Sequence, residues 1–122
     1  MIDLSFWKGR KVFLTGHTGF KGSWISLWLK QLGAEVSGYS LDYPSISSMF
    51  YAGEIEKLLK HDIRGDIRDL DFLTKSMQSF QPEIVIHMAA QSLVRESYVN
   101  PLNTYTTNII GTANIFEAVR NT

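Results

Sequence analysis

The sequence predicts an α/β fold in which helices flank a doubly wound parallel sheet. Three observations carry this prediction. Short β-rich runs alternate with longer segments whose apolar residues recur at helical spacing. Residues 83–88 are almost continuously apolar, as expected of a strand that is buried on both faces of a parallel sheet. Gly16, Gly19 and Gly22 stand at even three-residue steps directly after the first β-rich run.

The N-terminal part of the chain supplies a strand, a helix and a second strand. Lys11–Thr15 is short and β-rich, whereas residues 23–32 carry apolar side chains on one broad helical face. Gly33 is predicted to end this helix as its C-terminal cap. Glu35–Ser40 is then the second strand.

The middle of the chain is more polar. Residues 41–53 include Pro44 and several serines, which predicts a surface loop. A short helix is predicted over residues 54–60. His61–Arg64 is predicted as a third strand.

The C-terminal part adds two helices and a fourth strand. Asp69 is a good N-cap for the amphipathic segment Leu70–Phe80, and Pro82 ends that helix. The fourth strand is residues 83–88, followed by a predicted loop over residues 89–101. A last helix reaches about residue 120, with one apolar side formed by Tyr105, Ile109, Ala113 and Phe116.

Composition limits the class of protein. The 122 residues are 44% hydrophobic and 20% charged, with zero net charge, which is typical of one globular domain. The balanced charge argues against a nucleic-acid partner or an anionic membrane surface. No cysteine is present and the apolar runs are too short to span a bilayer, so we expect a soluble, cytoplasmic protein.

The glycine turn predicts a phosphate-binding site. A phosphate at a helix N-terminus is held by free N–H groups, and side chains in the turn would keep it away. A Walker A loop is excluded, because Lys21 precedes Gly22 instead of following a glycine. The alternative is a glycine-rich turn without a ligand, but the position of the turn between a strand and a helix favours a dinucleotide.

Right-handed crossovers between these strands give the sheet order 3-2-1-4. A complete dinucleotide-binding fold of this type has further strands beyond the fourth. We therefore expect residues 1–122 to be a truncated NAD-binding Rossmann domain, with the remaining strands and a C-terminal substrate domain absent.

Four motifs resemble the extended short-chain dehydrogenase/reductase superfamily. They are TGHTGFKG after the first strand, GDIRD after the third, HMAAQSLV after the fourth and YTTNIIGT in the last helix. The resemblance implies that residues in these motifs contact the cofactor at its diphosphate, its adenine and its nicotinamide ribose. These residues are Gly16, His17, Thr18, Gly19, Phe20, Lys21, Gly22, Asp66, Ile67, Met88, Ala89, Ala90, Gln91 and either Thr107 or Asn108.

Longer stretches, such as FWKGRKVFLTGHTGFKGSWISLWL, are similar to the N-terminal part of the CDP-glucose 4,6-dehydratase family. The resemblance implies a lyase that uses NAD to convert CDP-D-glucose to CDP-4-keto-6-deoxy-D-glucose. It also implies a place in the synthesis of lipopolysaccharide O-antigen sugars and a homodimer that pairs through helices including residues 102–120. Ser92 would lie over the bound sugar.

The proton-handling Tyr-x-x-x-Lys pair of that family is not in this sequence. No catalytic residue is therefore assigned, and we expect the chain alone to lack dehydratase activity. Two alternatives stay open. One is another nucleotide-sugar dehydratase or epimerase, acting on GDP-mannose or dTDP-glucose, and the other is a dinucleotide-binding module without chemistry.

Several residues keep two interpretations. Either Ser40 or Asp42 could hold the adenosine ribose, and the lack of an arginine directly after the second strand favours NAD over NADP. The side chain of His17 could contact the pyrophosphate or face solvent. His87 is expected to be a hydrogen-bonded core residue and not an acid or base. No metal site is predicted, because strand alternation separates His61 from its acidic neighbours.

Overall fold

The computed structural model describes residues 3–122. Within this range the chain forms four strands and six α-helices. A 3-10 turn at Leu4–Trp7 precedes the first strand, another lies at Ile55–Leu58, and a π-helical turn at Thr106–Ile110 joins the last two helices. The strands and helices are β1 Lys11–Thr15, α1 Phe20–Gln31, β2 Glu35–Ser40, α2 Met49–Ala52, β3 His61–Arg64, α3 Leu70–Phe80, β4 Ile84–His87, α4 Val94–Val99, α5 Pro101–Tyr105 and α6 Gly111–Arg120.

The strands form a parallel sheet in the order β3-β2-β1-β4, which confirms the predicted fold class and strand order. In register, Val12 of β1 pairs with Val36 of β2 on one side and with Ile84 of β4 on the other. All four carboxyl ends therefore point to the same edge. No helix within the described part of the chain has the length and apolar character needed to cross a bilayer.

Two apolar layers cover the two faces of the sheet. Alternation along β1 sends Phe13 to one face, where it packs with Leu73 and Met77 of α3. Val12 and Leu14 point to the opposite face. Because both faces of the sheet are covered, β1 and β4 carry apolar side chains at successive positions, as predicted for residues 83–88.

Helix α1 begins three residues earlier than predicted. Gly19 is its N-cap, so the second half of the glycine motif forms the first helical turn. Ser23 donates its hydroxyl to the carbonyl oxygen of Gly19 at 2.8 Å, which stabilises this start. At the other end Gly33 adopts φ +86°, and the predicted glycine cap is confirmed.

Two segments predicted as loops contain helices. In residues 41–53, Ser48 caps α2 by accepting a hydrogen bond from the N–H of Tyr51, and Phe50 is buried. A serine interpreted as a loop residue is thus a helix cap. In residues 89–101, α4 forms directly before Asn100, whose side chain caps α5. The last helical region starts at Pro101, which was predicted to lie in the loop, and it contains the π-helical turn. It ends at Arg120, as expected.

Candidate functional site

A cleft of about 740 Å³ lies at the carboxyl edge of the sheet. Open α/β sheets bind their ligands at this edge. The segments that follow all four strands line the cleft, together with the π-helical turn. Most of the predicted site residues line it, namely Gly16, Thr18, Gly19, Phe20, Lys21, Gly22, Asp66, Ile67, Met88, Ala89, Ala90, Ser92 and Thr107.

The turn between β1 and α1 is shaped by its glycines. Gly16 has φ +76°, and a β-carbon there would come within 2.7 Å of the amide nitrogen of Ala89. A β-carbon on Gly22 would overlap the carbonyl group of Gly16. Gly19 differs, because a β-carbon there would meet only the Gly16 oxygen, at 3.4 Å. The open space at this turn therefore lies beside Gly19.

The first turn of α1 has free hydrogen-bond donors. Within residues 3–122, no backbone carbonyl accepts a hydrogen bond from the N–H groups of Phe20, Lys21 or Gly22. These donors stand at the positive end of a 12-residue helix, beside a cradle that side chains would fill. Both features fit a diphosphate group.

The segment after β3 is held from two sides. Arg68 binds both carboxylate oxygens of Asp66, with its Nη2 donating to Oδ2 at 2.6 Å. These hydrogen bonds hold the pKa of the Asp66 carboxyl below its usual value. The hydroxyl of Tyr39 donates to the Asp66 carbonyl oxygen at 2.9 Å, and a β-carbon on Gly65 would overlap the Tyr39 ring. The carboxylate at the cleft is therefore ionised and fixed in place.

The structure separates the two candidates for the ribose. Ser40 lines the cleft, and its Oγ lies 2.8 Å from Oγ1 of Thr18. Thr18 donates its own proton to the carbonyl oxygen of Leu41, so the Ser40 hydroxyl is the donor to Thr18 and keeps lone pairs to accept a further hydrogen bond. Asp42 lies outside the cleft lining. Its exposed carboxylate is 3.3 Å from Nε of Arg64.

Both expectations for the side chain of His17 are wrong. The ring is fully buried under Gly38 of β2 and does not line the cleft. Its Nε2 is 2.6 Å from Oδ1 of Asp62 on β3, a hydrogen bond that Nε2–H donates. Burial lowers the pKa of His17, and the hydrogen bond to Asp62 opposes that shift. Within residues 3–122, Nδ1 has no hydrogen-bond partner.

Gln91 also lies outside the cleft lining, contrary to expectation. Its side chain donates to Oγ1 of Thr104 at 2.9 Å and accepts from the N–H of Leu93. Its backbone N–H and C=O are both bound by the side-chain amide of Asn108, at 2.8 and 2.9 Å. Asn108 therefore shapes the wall of the cleft, while Thr107 of the same π-helical turn lines it.

Some residues that line the cleft were not predicted from the sequence. Gly65 and Arg68 lie within the GDIRD motif that located Asp66, and Leu41 lies between Ser40 and Asp42, the two candidates for the ribose contact. His87 lines the cleft as well, although it was expected only in the core. Among the residues described, no cluster of three or more His, Asp or Glu side chains is arranged to hold a metal ion.

Comparison with known proteins finds that the chain is similar to 4,6-dehydratases that act on nucleotide-sugars. The sequence model of the family described as GDP-mannose 4,6 dehydratase matches residues 13–122. The chain is 54% identical to CDP-glucose 4,6-dehydratase of Salmonella typhimurium over 98% of its own length and 33% of that protein. It is 33% identical to GDP-mannose 4,6-dehydratase of Vibrio cholerae, over 88% of its length and 30% of that protein.

Solved structures agree on the fold. Pen from Bacillus thuringiensis superimposes with a TM-score of 0.78 at 30% identity, over 93% of this chain and 34% of that one. UDP-glucose 4-epimerase from Brucella ovis in complex with NAD gives a TM-score of 0.74 at 28% identity, over 92% of this chain and 32% of that one. The chain spans about a third of the length of each of these relatives.

Proposed function

The chain belongs to the GDP-mannose 4,6 dehydratase family, and from this premise we propose that it is the NAD-binding part of a nucleotide-sugar 4,6-dehydratase. The observation that carries the proposal is the free amide cluster at the start of α1, which faces a cleft at the carboxyl edge of the sheet. Its chemistry suits the diphosphate of a dinucleotide.

We propose that residues of the cleft hold each part of NAD. The amides of Phe20, Lys21 and Gly22 would hold the diphosphate, and Ser40 would accept a hydrogen bond from a ribose hydroxyl. Asp66 and Ile67 would meet the adenine. When bound, NAD would accept a hydride from the sugar and return it at a later step.

On the other side of the cleft, Ala89, Ala90 and Thr107 would line the nicotinamide ribose. Ala89 and Ala90 have small side chains, so they allow a ring to approach the backbone closely. The NAD complex of the Brucella ovis epimerase, which shares this fold, supports the same choice of cofactor.

We infer that the substrate is CDP-D-glucose and the product its 4-keto-6-deoxy derivative. The 54% identity to the Salmonella enzyme supports this choice over the GDP- and dTDP-linked sugars of more distant relatives. Ser92 is exposed and lines the cleft, and we propose that it meets the sugar. We further propose a homodimeric, cytoplasmic enzyme that supplies deoxysugars for lipopolysaccharide O-antigen.

The chain's own residues bind and orient the cofactor, but the proposed proton chemistry needs groups that it does not carry. No tyrosine in the sequence is followed four positions later by lysine. In this family, that pair would remove the hydroxyl proton of the sugar. We therefore propose that residues 1–122 bind NAD without turning over a nucleotide-sugar.

A second candidate is a nucleotide-sugar epimerase. The fold matches epimerases that were crystallised with NAD at TM-scores of 0.71 to 0.75. An epimerase would use the same cleft for the same cofactor, but it would not eliminate water from the sugar. Product analysis therefore separates the two functions.

The test is a chimera in which this chain replaces the matching N-terminal third of the Salmonella enzyme. With NAD, we expect it to bind the cofactor and to convert CDP-D-glucose to a keto product that absorbs in base, which tests whether this chain supplies a working NAD site. The intact Salmonella enzyme is the positive control. A folded chimera that neither binds NAD by calorimetry nor forms the keto sugar would refute the proposal.

A further inference from the structure

The imidazole of His87 lies between two threonine hydroxyls. Its Nδ1 is 2.7 Å from Oγ1 of Thr15 at the end of β1. Its Nε2 is 3.1 Å from Oγ1 of Thr112 in α6. The histidine therefore links β1, an inner strand of the sheet, to the last helix at the wall of the cleft.

The direction of each hydrogen bond follows from the other partners. Thr15 Oγ1 also lies 3.1 Å from the N–H of Met88 and 3.2 Å from that of Ala89, and both are donors. Within the described residues, the hydroxyl proton of Thr15 can therefore go only to Nδ1 of His87.

The hydrogen bond at Nε2 of His87 indicates the same tautomer. Thr112 donates its proton to the carbonyl oxygen of Asn108 at 2.6 Å, so its oxygen is left to accept from His87. Nε2 must then carry a proton. The neutral Nε2–H tautomer satisfies every partner in the chain of hydrogen bonds, and the other neutral tautomer does not.

This chain of hydrogen bonds ends on the walls of the cleft. Thr15 directly precedes Gly16, and the N–H groups that it binds belong to Met88 and Ala89 on the opposite wall. The two walls are in contact, because a β-carbon on Gly16 would lie 2.7 Å from the Ala89 nitrogen. The Thr15–His87 pair therefore sets their spacing together with the backbone hydrogen bond from the N–H of Met88 to the carbonyl oxygen of Thr15, at 3.2 Å.

We propose that His87 is a positioning residue whose neutral Nε2–H form fixes the spacing between the glycine turn and the Met88–Ala89 wall, and whose protonation separates them and weakens dinucleotide binding. The part about binding rests on the proposed function. The part about the tautomer and the wall does not.

Protonation has a specific structural cost. A proton on Nδ1 would point at Thr15 Oγ1, which already accepts the two N–H groups of the wall, so at least one of them would have to leave. The polar side chains that face the ring from β1 and α6 are Thr15 and Thr112, and neither is charged. Burial alone lowers the pKa of His87, which keeps it neutral near pH 7.

The first test needs no cofactor. In the ¹⁵N-labelled chain, ring nitrogen shifts should identify the Nε2–H tautomer, and acidification should move the Met88 and Ala89 amide signals with the same midpoint as the His87 ring. His61→Gln, which removes an exposed histidine of β3, is the matched control and should leave these changes intact. An Nδ1–H tautomer would overturn the proposal, and so would Met88 and Ala89 amide signals that do not shift as His87 titrates.

The second test measures NAD affinity by calorimetry between pH 5 and pH 8. We expect Thr15→Val, which keeps the shape but loses the hydroxyl, to weaken binding about tenfold at pH 7.5 and to flatten the pH profile. Thr15→Ser should restore both. Thr112→Val gives a second disruption if Thr15→Val does not fold.

The two tests distinguish failure of the proposed function from failure of the positioning role of His87. If the unaltered chain binds no NAD at any pH, the proposed function is wrong, while the ring shifts still decide the tautomer. If NAD binds equally well to Thr15→Val, Thr112→Val and the unaltered chain across the pH range, the positioning role is wrong.

Discussion

Gly22 packs directly against the carbonyl group of Gly16, leaving no room for a β-carbon between the first turn of α1 and the end of β1. Gly16 itself adopts a left-handed conformation and touches the opposite wall. These two glycines serve the packing of the protein on itself. Gly19 is not confined in this way, so its lack of a side chain matters to a ligand.

We expect Gly22→Ala to affect mainly the stability of the fold and Gly19→Ala to affect mainly NAD binding. Gly22→Ala should lower the free energy of unfolding by about 1–3 kcal/mol, because the methyl group overpacks the turn. Gly19→Ala should cost less than about 1 kcal/mol but weaken NAD binding at least about tenfold. Chemical denaturation and calorimetry measure the two effects. Equal loss of stability in both variants would contradict the separate roles.

Ser40 and Asp42 should affect NAD binding unequally. Ser40→Ala removes the acceptor at the cleft and should weaken binding several-fold, by about 1 kcal/mol. Asp42→Asn alters an exposed ion pair with Arg64 and keeps an oxygen to accept from the N–H of Tyr43, so it should change the affinity less than about twofold. A larger effect from Asp42→Asn would return the ribose contact to that residue.

The buried His17 should make stability depend on pH. Burial lowers its pKa in the folded chain below the ordinary value of about 6.5, against the opposing effect of its partner Asp62 and with a further lowering by Arg64. The unfolded chain then binds more protons, so this contribution is present above about pH 6.5 and is lost as pH falls below it.

The measurement is the free energy of unfolding between pH 5 and pH 8. Replacing His17 by Gln should reduce the slope in the acidic range by up to about 1.4 kcal/mol per pH unit, the equivalent of one proton. The remaining slope would come partly from His87, whose pKa burial also lowers. An unchanged slope would mean that His17 carries the same charge in the folded and unfolded chains.

Tyr39→Phe should destabilise the chain by about 1 kcal/mol, since it removes the hydrogen bond to the Asp66 carbonyl oxygen. Burial also raises the pKa of Tyr39, so its phenol should stay protonated in alkali that ionises an exposed tyrosine. Denaturation and absorbance titration measure these effects. Tyr98→Phe, at a side chain that is 84% exposed, is the control and should change stability by less than about 0.5 kcal/mol.

Local patterns in the sequence determined most of the fold. Asp69 and the apolar spacing after it placed α3 at its observed bounds, and the β-rich runs placed β1, β2 and β3. The pattern failed for α2, because a single buried aromatic, Phe50, and a serine cap suffice to fold a helix of four residues. Such a short segment carries too few apolar positions to show a helical period.

The parts of the candidate site that backbone groups form could be predicted from the sequence. The spacing of the glycines in the turn demands one backbone geometry, and Gly16, Gly19 and Gly22 line the cleft as predicted. The direction of a side chain depends on partners far along the sequence: His17 turns away from the cleft toward Asp62, 45 positions later, and Gln91 is held by Asn108, 17 positions later. No local pattern contains those partners.

The pairing of β1 with β4 has a consequence for how the protein is made. Thr15 and His87 meet across 72 positions, so a growing polypeptide can form β1, α1 and β2 long before β4 has been translated. Closing so large a loop is entropically costly and comes late in the folding of such sheets. Newly emerging chains should therefore stay unable to capture nucleotide until β4 has left the ribosome, and arrest at successive lengths would reveal that threshold.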